Sequence, residues 1–144
     1  MEFRVVQATP SQRAAVRWSA LFRCVQRLEQ ATPNTSVALI LIPPQRMAAL
    51  NRSYRGKAGP TDVLAFPAAD RQPKRDGSGD IALCPAVLRQ RFPGQALAPL
   101  LAHRFVHALL HLHGYQHHSE AANTRMEARV QHCLKTFYGA HYPA

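Results

Sequence analysis

The segment at residues 107–117, HALLHLHGYQH, constrains this chain more than any other. His107 and His111 are four residues apart, so on a helix they share one face with Cβ atoms about 6 Å apart. Gly114 follows three residues later. Glycine adopts positive φ without steric cost, so it ends the helix and lets the chain turn back, bringing His117 toward the same point. The spacing therefore predicts a long helix over residues 95–113, a turn at Gly114, and three imidazoles converging beyond it. Three protein ligands with an open fourth position form a catalytic zinc site, whereas structural zinc is normally closed by a fourth protein ligand. Nitrogen-only ligation favours one Zn²⁺ per chain, with Ni²⁺, Co²⁺ or Cu²⁺ binding in vitro. His103 lies one turn before His107 on the same face and is a candidate substrate contact. His113 points away, and His118 lies exposed beside the site.

The spacing of the three histidines is that of the metzincin proteases, but Ala108 stands where a protease carries its glutamate base. A zinc hydrolase without that base needs another chemistry. A metalloprotease-like hydrolase stays as one alternative.

Charge narrows the choice. Eighteen Lys and Arg face eight Asp and Glu, for a net charge of +10 with neutral histidine. Only Lys57, Lys74 and Lys135 are lysines, and the planar fork of arginine suits phosphate and base recognition. Such a chain attracts polyanions. A second alternative is a non-catalytic nucleic-acid-binding factor in which zinc holds the fold. No stretch approaches the roughly 18 apolar residues of a membrane span. The N-terminus MEFRVVQATP has no secretory pattern, which predicts a cytoplasmic protein. Cys24, Cys84 and Cys133 are widely spaced and are expected as reduced, packed thiols.

The 144 residues suit one domain. FRVVQA predicts a strand. Thr9 caps a helix with Pro10 in its first turn, whose apolar stripe is Ala14, Trp18, Leu21, Phe22, Val25 and Leu28. SVALILI is a buried strand, PPQRMAALNRSYR holds a short helix, and DVLAFP is a strand closed by Pro67. The breaker-rich run 68–79 is expected as a mobile loop. DIALC is a strand and PAVLRQRF a short helix. A final helix covers residues 118–138. The expected fold is α/β (α+β), a single compact domain with a small mixed sheet of about four strands and about five helices.

At this point the motifs resemble a known family. HALLHLHGYQH is similar to His-Gly-x-x-His-Leu-x-Gly-Tyr-Asp-His of the YbeY family, metal-dependent endoribonucleases of ribosomal RNA maturation. LNRSYRGKAGPTDVLAFP, residues 50–67, resembles that family's Leu-Asn-x-x-Tyr-Arg…Thr-Asp-Val-Leu-Ser-Phe-Pro block. SGDIALC resembles its Gly-Asp-Ile strand, and MEA at residues 126–128 falls at the matching distance beyond the histidines. Three residues depart from the pattern: Ala108 for Gly, Ala65 for Ser, and Gln116 for Asp.

The resemblance implies a zinc-dependent, single-strand-specific endoribonuclease of small-subunit rRNA 3′-end maturation and ribosome quality control. Its partners would be ribosomal RNA, single-stranded or structured, with ribosomal proteins or an assembly GTPase, and no membrane. It also points to Arg55 as the catalytic residue, in a loop after the short helix. An arginine stays protonated, so it serves as a phosphate holder and charge stabiliser, not as a base. Zinc would act as a Lewis acid, an activator of water, or both. Lys57 is a candidate phosphate contact. Asn51 and Tyr54 are candidates for binding substrate or for anchoring the loop, the latter favoured for Tyr54. Thr61 and Asp62 suit a turn or cap as well as chemistry. Gln116, Asp80 and Glu127 are candidates for supporting the ligand histidines.

Overall fold

Alternation within the strands decides how the sheet is covered. In SVALIL the side chains of Val37, Leu39 and Leu41 are buried on one face, while Ala38 and Ile40 reach the other. The computed structural model describes residues 1–68 and 76–139. Its elements are β1 (Glu2–Gln7), α1 (Pro10–Ala15), α2 (Trp18–Leu28), β2 (Ser36–Leu41), α3 (Pro44–Arg55), β3 (Val63–Pro67), β4 (Gly79–Leu83), α4 (Pro85–Arg91), α5 (Leu97–Leu112) and α6 (Glu120–Tyr138). The sheet runs β1-β2-β4-β3, and β3 alone is antiparallel to its neighbour. The mixed sheet of four strands is as expected, but it carries six helices among the described residues, not five.

The extra helix comes from a break in the first predicted one. Val16 is extended, with φ −134° and ψ 143°, between α1 and α2. A continuous helix would have buried Ala14, which is exposed; the break buries Val16 instead. Val16 is β-branched and gains little from helix. Trp18 then packs edge-on against Phe105 at 5.1 Å and donates its indole N–H to Gln12 O. Tertiary burial overrides a stripe that is continuous in sequence.

The helix α5 is the hub. Leu101, Ala102, Phe105, Val106, Ala108, Leu109, Leu110 and Leu112 are all buried, against the sheet on one side and α2 and α6 on others. Each leucine, valine or phenylalanine among them contributes about 1.5–3 kcal/mol on burial. Toward its C-terminal end α5 leaves a half-exposed stripe of His103, Arg104, His107 and His111. A smaller cluster built on Met47, Leu64, Ala82 and Val87 lies under α3 on the second face.

The run expected as a mobile loop falls partly on residues 69–75, outside the described residues. Its far end is fixed. Thr35 Oγ1 donates to Asp76 O, the Ser78 N–H donates to Asp76 Oδ1, and the Ser36 N–H donates to Ser78 Oγ. The three cysteines are buried and unbridged. No helix among the described residues is long and apolar enough to cross a membrane.

Candidate metal centre and cleft

His107 and His111 project from consecutive turns of α5, with their Nε2 atoms 3.1 Å apart. Gly114, at φ +101°, follows the C-cap His113, and the Tyr115 N–H reaches back to Leu110 O. This closure turns the chain, and the donor atoms of His107, His111 and His117 all lie within 4.8 Å of one another. Tetrahedral metal–nitrogen bonds of about 2.0–2.1 Å place donor atoms about 3.3 Å apart, so the His107–His111 pair already has the spacing of two ligands. His117, exposed on the turn, is the outer one.

Protonation fits the same use. The His111 Nδ1–H donates to Tyr115 O at 2.9 Å, which leaves Nε2 with its lone pair facing the centre. Burial pushes the His107 pKa down to about 4, with the charges of His111, His103, His117 and Arg104 adding to it. His107 is therefore neutral at physiological pH, as a ligand must be. The three residues can hold a metal ion.

The turn is held from the far side. Tyr115 donates its hydroxyl to Glu29 Oε1, and Arg129 donates to Glu29 Oε2 at 2.6 Å and to Leu28 O. Thus α2 and α6 together fix the segment that carries His117. These pairings join residues 86 and 100 positions apart, so nothing local in the sequence marked them.

The histidines form one wall of a cleft of about 420 Å³. The same cleft is lined by Val63, Ala65 and Pro67 of β3 and by Tyr54 and Arg55 of α3. Arg55 is exposed and is the last residue of α3, not a loop residue. Gly56, at φ +67°, caps the helix immediately after it, with its N–H on Arg52 O. Arg55 thus stands at a helix end on the cleft that the three histidines also line.

Other sequence candidates fall elsewhere. Asn51 is buried and donates Nδ2 to Gly59 O, which places it inside the loop that follows α3. Lys57 is exposed on that loop and does not line the cleft. Asp80 is not brought to the centre. It is exposed in β4 and lines a separate hollow with Arg4, Ala38, Ile40 and Phe66, on the other face of the sheet. Gln116 is exposed on the turn, and His118 lies beside His117 with ring centroids 6.2 Å apart. His113 donates to Gln26 Oε1 at 2.6 Å and packs under Gly77, facing α2.

His103 and Glu127 are brought together, one step away from the ligands. His103 Nε2 pairs with Glu127 at 2.9 Å, and its ring lies parallel to that of His107 at 6.4 Å. Arg104 Nη1 meets His103 Nδ1 at 2.7 Å. Arginine only donates, so Nδ1 is the acceptor and Nε2 carries the proton toward Glu127. Arg104 Nε also donates to Asp62 Oδ2 at 2.7 Å, and Arg91 sits 3.4 Å from the other oxygen. Asp62, 8% exposed, lies at the cleft floor and locks β3 to α5.

Asp62 makes a testable contribution to stability. Burial pushes its carboxyl up, but the Arg104 hydrogen bond and the charges of Arg104 and Arg91 outweigh this and hold it below the ordinary 3.8. A depressed folded pKa contributes stability that is complete above pH 3.8 and is lost as pH falls through the lower folded value. Asp62→Asn is expected to cost about 3 kcal/mol near neutral pH, since Arg104 loses its buried partner. Urea unfolding near pH 7 and near pH 2 should show that difference shrink in acid. A difference equal at both values would remove the carboxylate from the account.

With the geometry in place, the comparisons with known proteins decide the family. The model described as Endoribonuclease YbeY matches residues 5–138. The chain belongs to the YbeY family. An Endoribonuclease YbeY of Methylococcus capsulatus is 37% identical over 119 residues, covering 81% of this chain and 79% of its own. One of Maricaulis maris is 36% identical over 117 residues, covering 80% and 71%. The solution structure of a Thermotoga maritima protein superposes with a TM-score of 0.62 at 22% identity, over 98% of this chain and 94% of that one. That last likeness concerns the fold. The family match runs from β1 to the end of α6, so it takes in both the histidine wall and the α3 end that carries Arg55.

Proposed function

We propose that this chain is a zinc-dependent, single-strand-specific endoribonuclease that matures the 3′ end of small-subunit ribosomal RNA and serves ribosome quality control in the cytoplasm. The observation that carries the reading is a single cleft lined by three convergent imidazoles and by Arg55, in a chain of net charge +10. The relatives' name, Endoribonuclease YbeY, supports the same activity.

His107, His111 and His117 would hold the Zn²⁺, which when bound supplies Lewis acidity toward a phosphoryl oxygen. Arg55 grips the phosphate with its fork of N–H donors and offsets charge that develops on the non-bridging oxygens. The apolar surfaces of Val63, Ala65 and Pro67 flank that phosphate and strengthen these interactions by excluding water. Glu127 steadies the His103 ring, which lies parallel to that of His107, and Lys57 attracts the RNA backbone from the nearby loop. A protease is disfavoured by Ala108, which is fully buried and offers no base. Ribosomal proteins or an assembly GTPase would be further partners.

The test is cleavage by the zinc-loaded chain of single-stranded RNA and of casein, alongside RNA affinity against salt. RNA should be cut and casein left intact. Neutralising about four phosphates of a single strand gives a slope of log K against log salt near −3. Casein cleavage without RNA cleavage, or a flat slope from roughly 50 to 200 mM salt, contradicts the reading.

A further inference from the structure

Three large hydrophobic side chains stand exposed among the described residues, Met1, Val6 and Tyr54. Of these only Tyr54 lines the cleft, and it is the residue before Arg55. The residue is 52% exposed, in the last turn of α3. It is held in place all the same. It packs against Phe66 with centroids 4.4 Å apart and planes at 63°. That edge-to-face contact fixes the ring, because aromatic quadrupoles favour such an arrangement. Phe66 itself packs with the cluster under α3, so the platform is tied to the fold at the lip of the cleft. An exposed, pre-oriented aromatic beside a phosphate-binding cation is the arrangement that receives an unpaired base.

We propose that Tyr54 is the base-stacking residue of this cleft. It takes one nucleobase next to the phosphate held by Arg55 and so sets the preference for single strands. The proposal rests on the RNA-cleaving reading above and adds to it a residue that selects the substrate's form. Within an A-form duplex the bases are stacked on one another and have no free face to offer. An unpaired base can be splayed onto the Tyr54 ring while its neighbouring phosphate reaches Arg55 and the histidine wall. Stacking accepts any base, so Tyr54 selects for unpaired structure and not for sequence.

The experiment uses the zinc-loaded full chain and short single-stranded RNAs carrying 2-aminopurine at successive positions around the cut. Wild type should quench one position on binding. Tyr54→Leu, which keeps the apolar bulk without the π-face, should lose the quench. It should also raise KM for single strands roughly ten- to hundred-fold, with kcat within about two-fold. Tyr54→Phe should restore most of both signals, and equilibrium affinity for a duplex of the same sequence should be the same in wild type and both variants. Circular dichroism and bound zinc confirm that each variant is folded. Tyr54→Leu matching wild type in quench and KM overturns the stacking role while the nuclease reading stands. Wild type that leaves every RNA uncut removes that reading, and this proposal with it.

Discussion

Arg55→Ala is expected to slow single-turnover cleavage roughly a hundred- to a thousand-fold, about 2.7–4 kcal/mol of lost transition-state stabilisation, by analogy with removing one oxyanion-hole donor. Fold and metal content should stay as they are. The side chain is exposed at the last turn of α3, so truncation opens no cavity, and Gly56 ends the helix in either case. Arg55→Lys should recover only part of the rate, because a point charge does not replace a two-pronged fork. Binding of intact RNA should weaken far less than cleavage, since a chain of net charge +10 has other cations to hold the backbone. Equal losses in binding and cleavage would reduce Arg55 to a docking contact. No loss in either would make it a solvated surface residue.

The second large effect is expected from His111→Ala. This imidazole stands 3.1 Å from the Nε2 of His107 and also donates to the Tyr115 carbonyl that begins the return turn. Its removal takes away one of three ligands and loosens the placement of another, His117. Changes to outer partners alone typically cost 10–100-fold in metal affinity, so loss of a ligand should exceed about a hundred-fold. Elemental analysis should find one zinc per wild-type chain and little in the variant. Full occupancy in a folded His111→Ala would contradict the assignment of the ligands. Affinity in wild type should fall with pH, because protons compete for the same nitrogens.

The histidine constellation was legible in the sequence because it is almost wholly local. Four residues on a helix and one glycine at its end determine where the three rings point. Strand order needed more, but alternation in β2 and the apolar run of β4 already marked a covered sheet. Two placements follow from local rules. Gly56 is a natural residue to follow a helix, which puts Arg55 at a helix end, not in a loop. Ile81 and Leu83 belong to the main core, so by the two-residue period of a strand Asp80 faces the opposite side. The break at Val16 was not legible, since it follows from what Val16 and Trp18 bury and not from propensity. The pairing of Asp62 with Arg104 lies 42 residues apart, and that of Glu29 with Arg129 lies 100 apart. Such contacts exist only once the sheet and α5 have met. Of the two roles open to Asn51 in the sequence, its amide takes the loop-anchoring one by donating to Gly59 O, a carbonyl that meets it only once the loop has folded over α3.

The most direct test of a metal-dependent nuclease centre is single-turnover cleavage of a single-stranded RNA by the chelator-stripped chain before and after zinc is returned. Cleavage should vanish with the metal and come back at one equivalent of Zn²⁺ in wild type, but not in His111→Ala. Cleavage at the wild-type rate by the fully stripped chain would contradict the account.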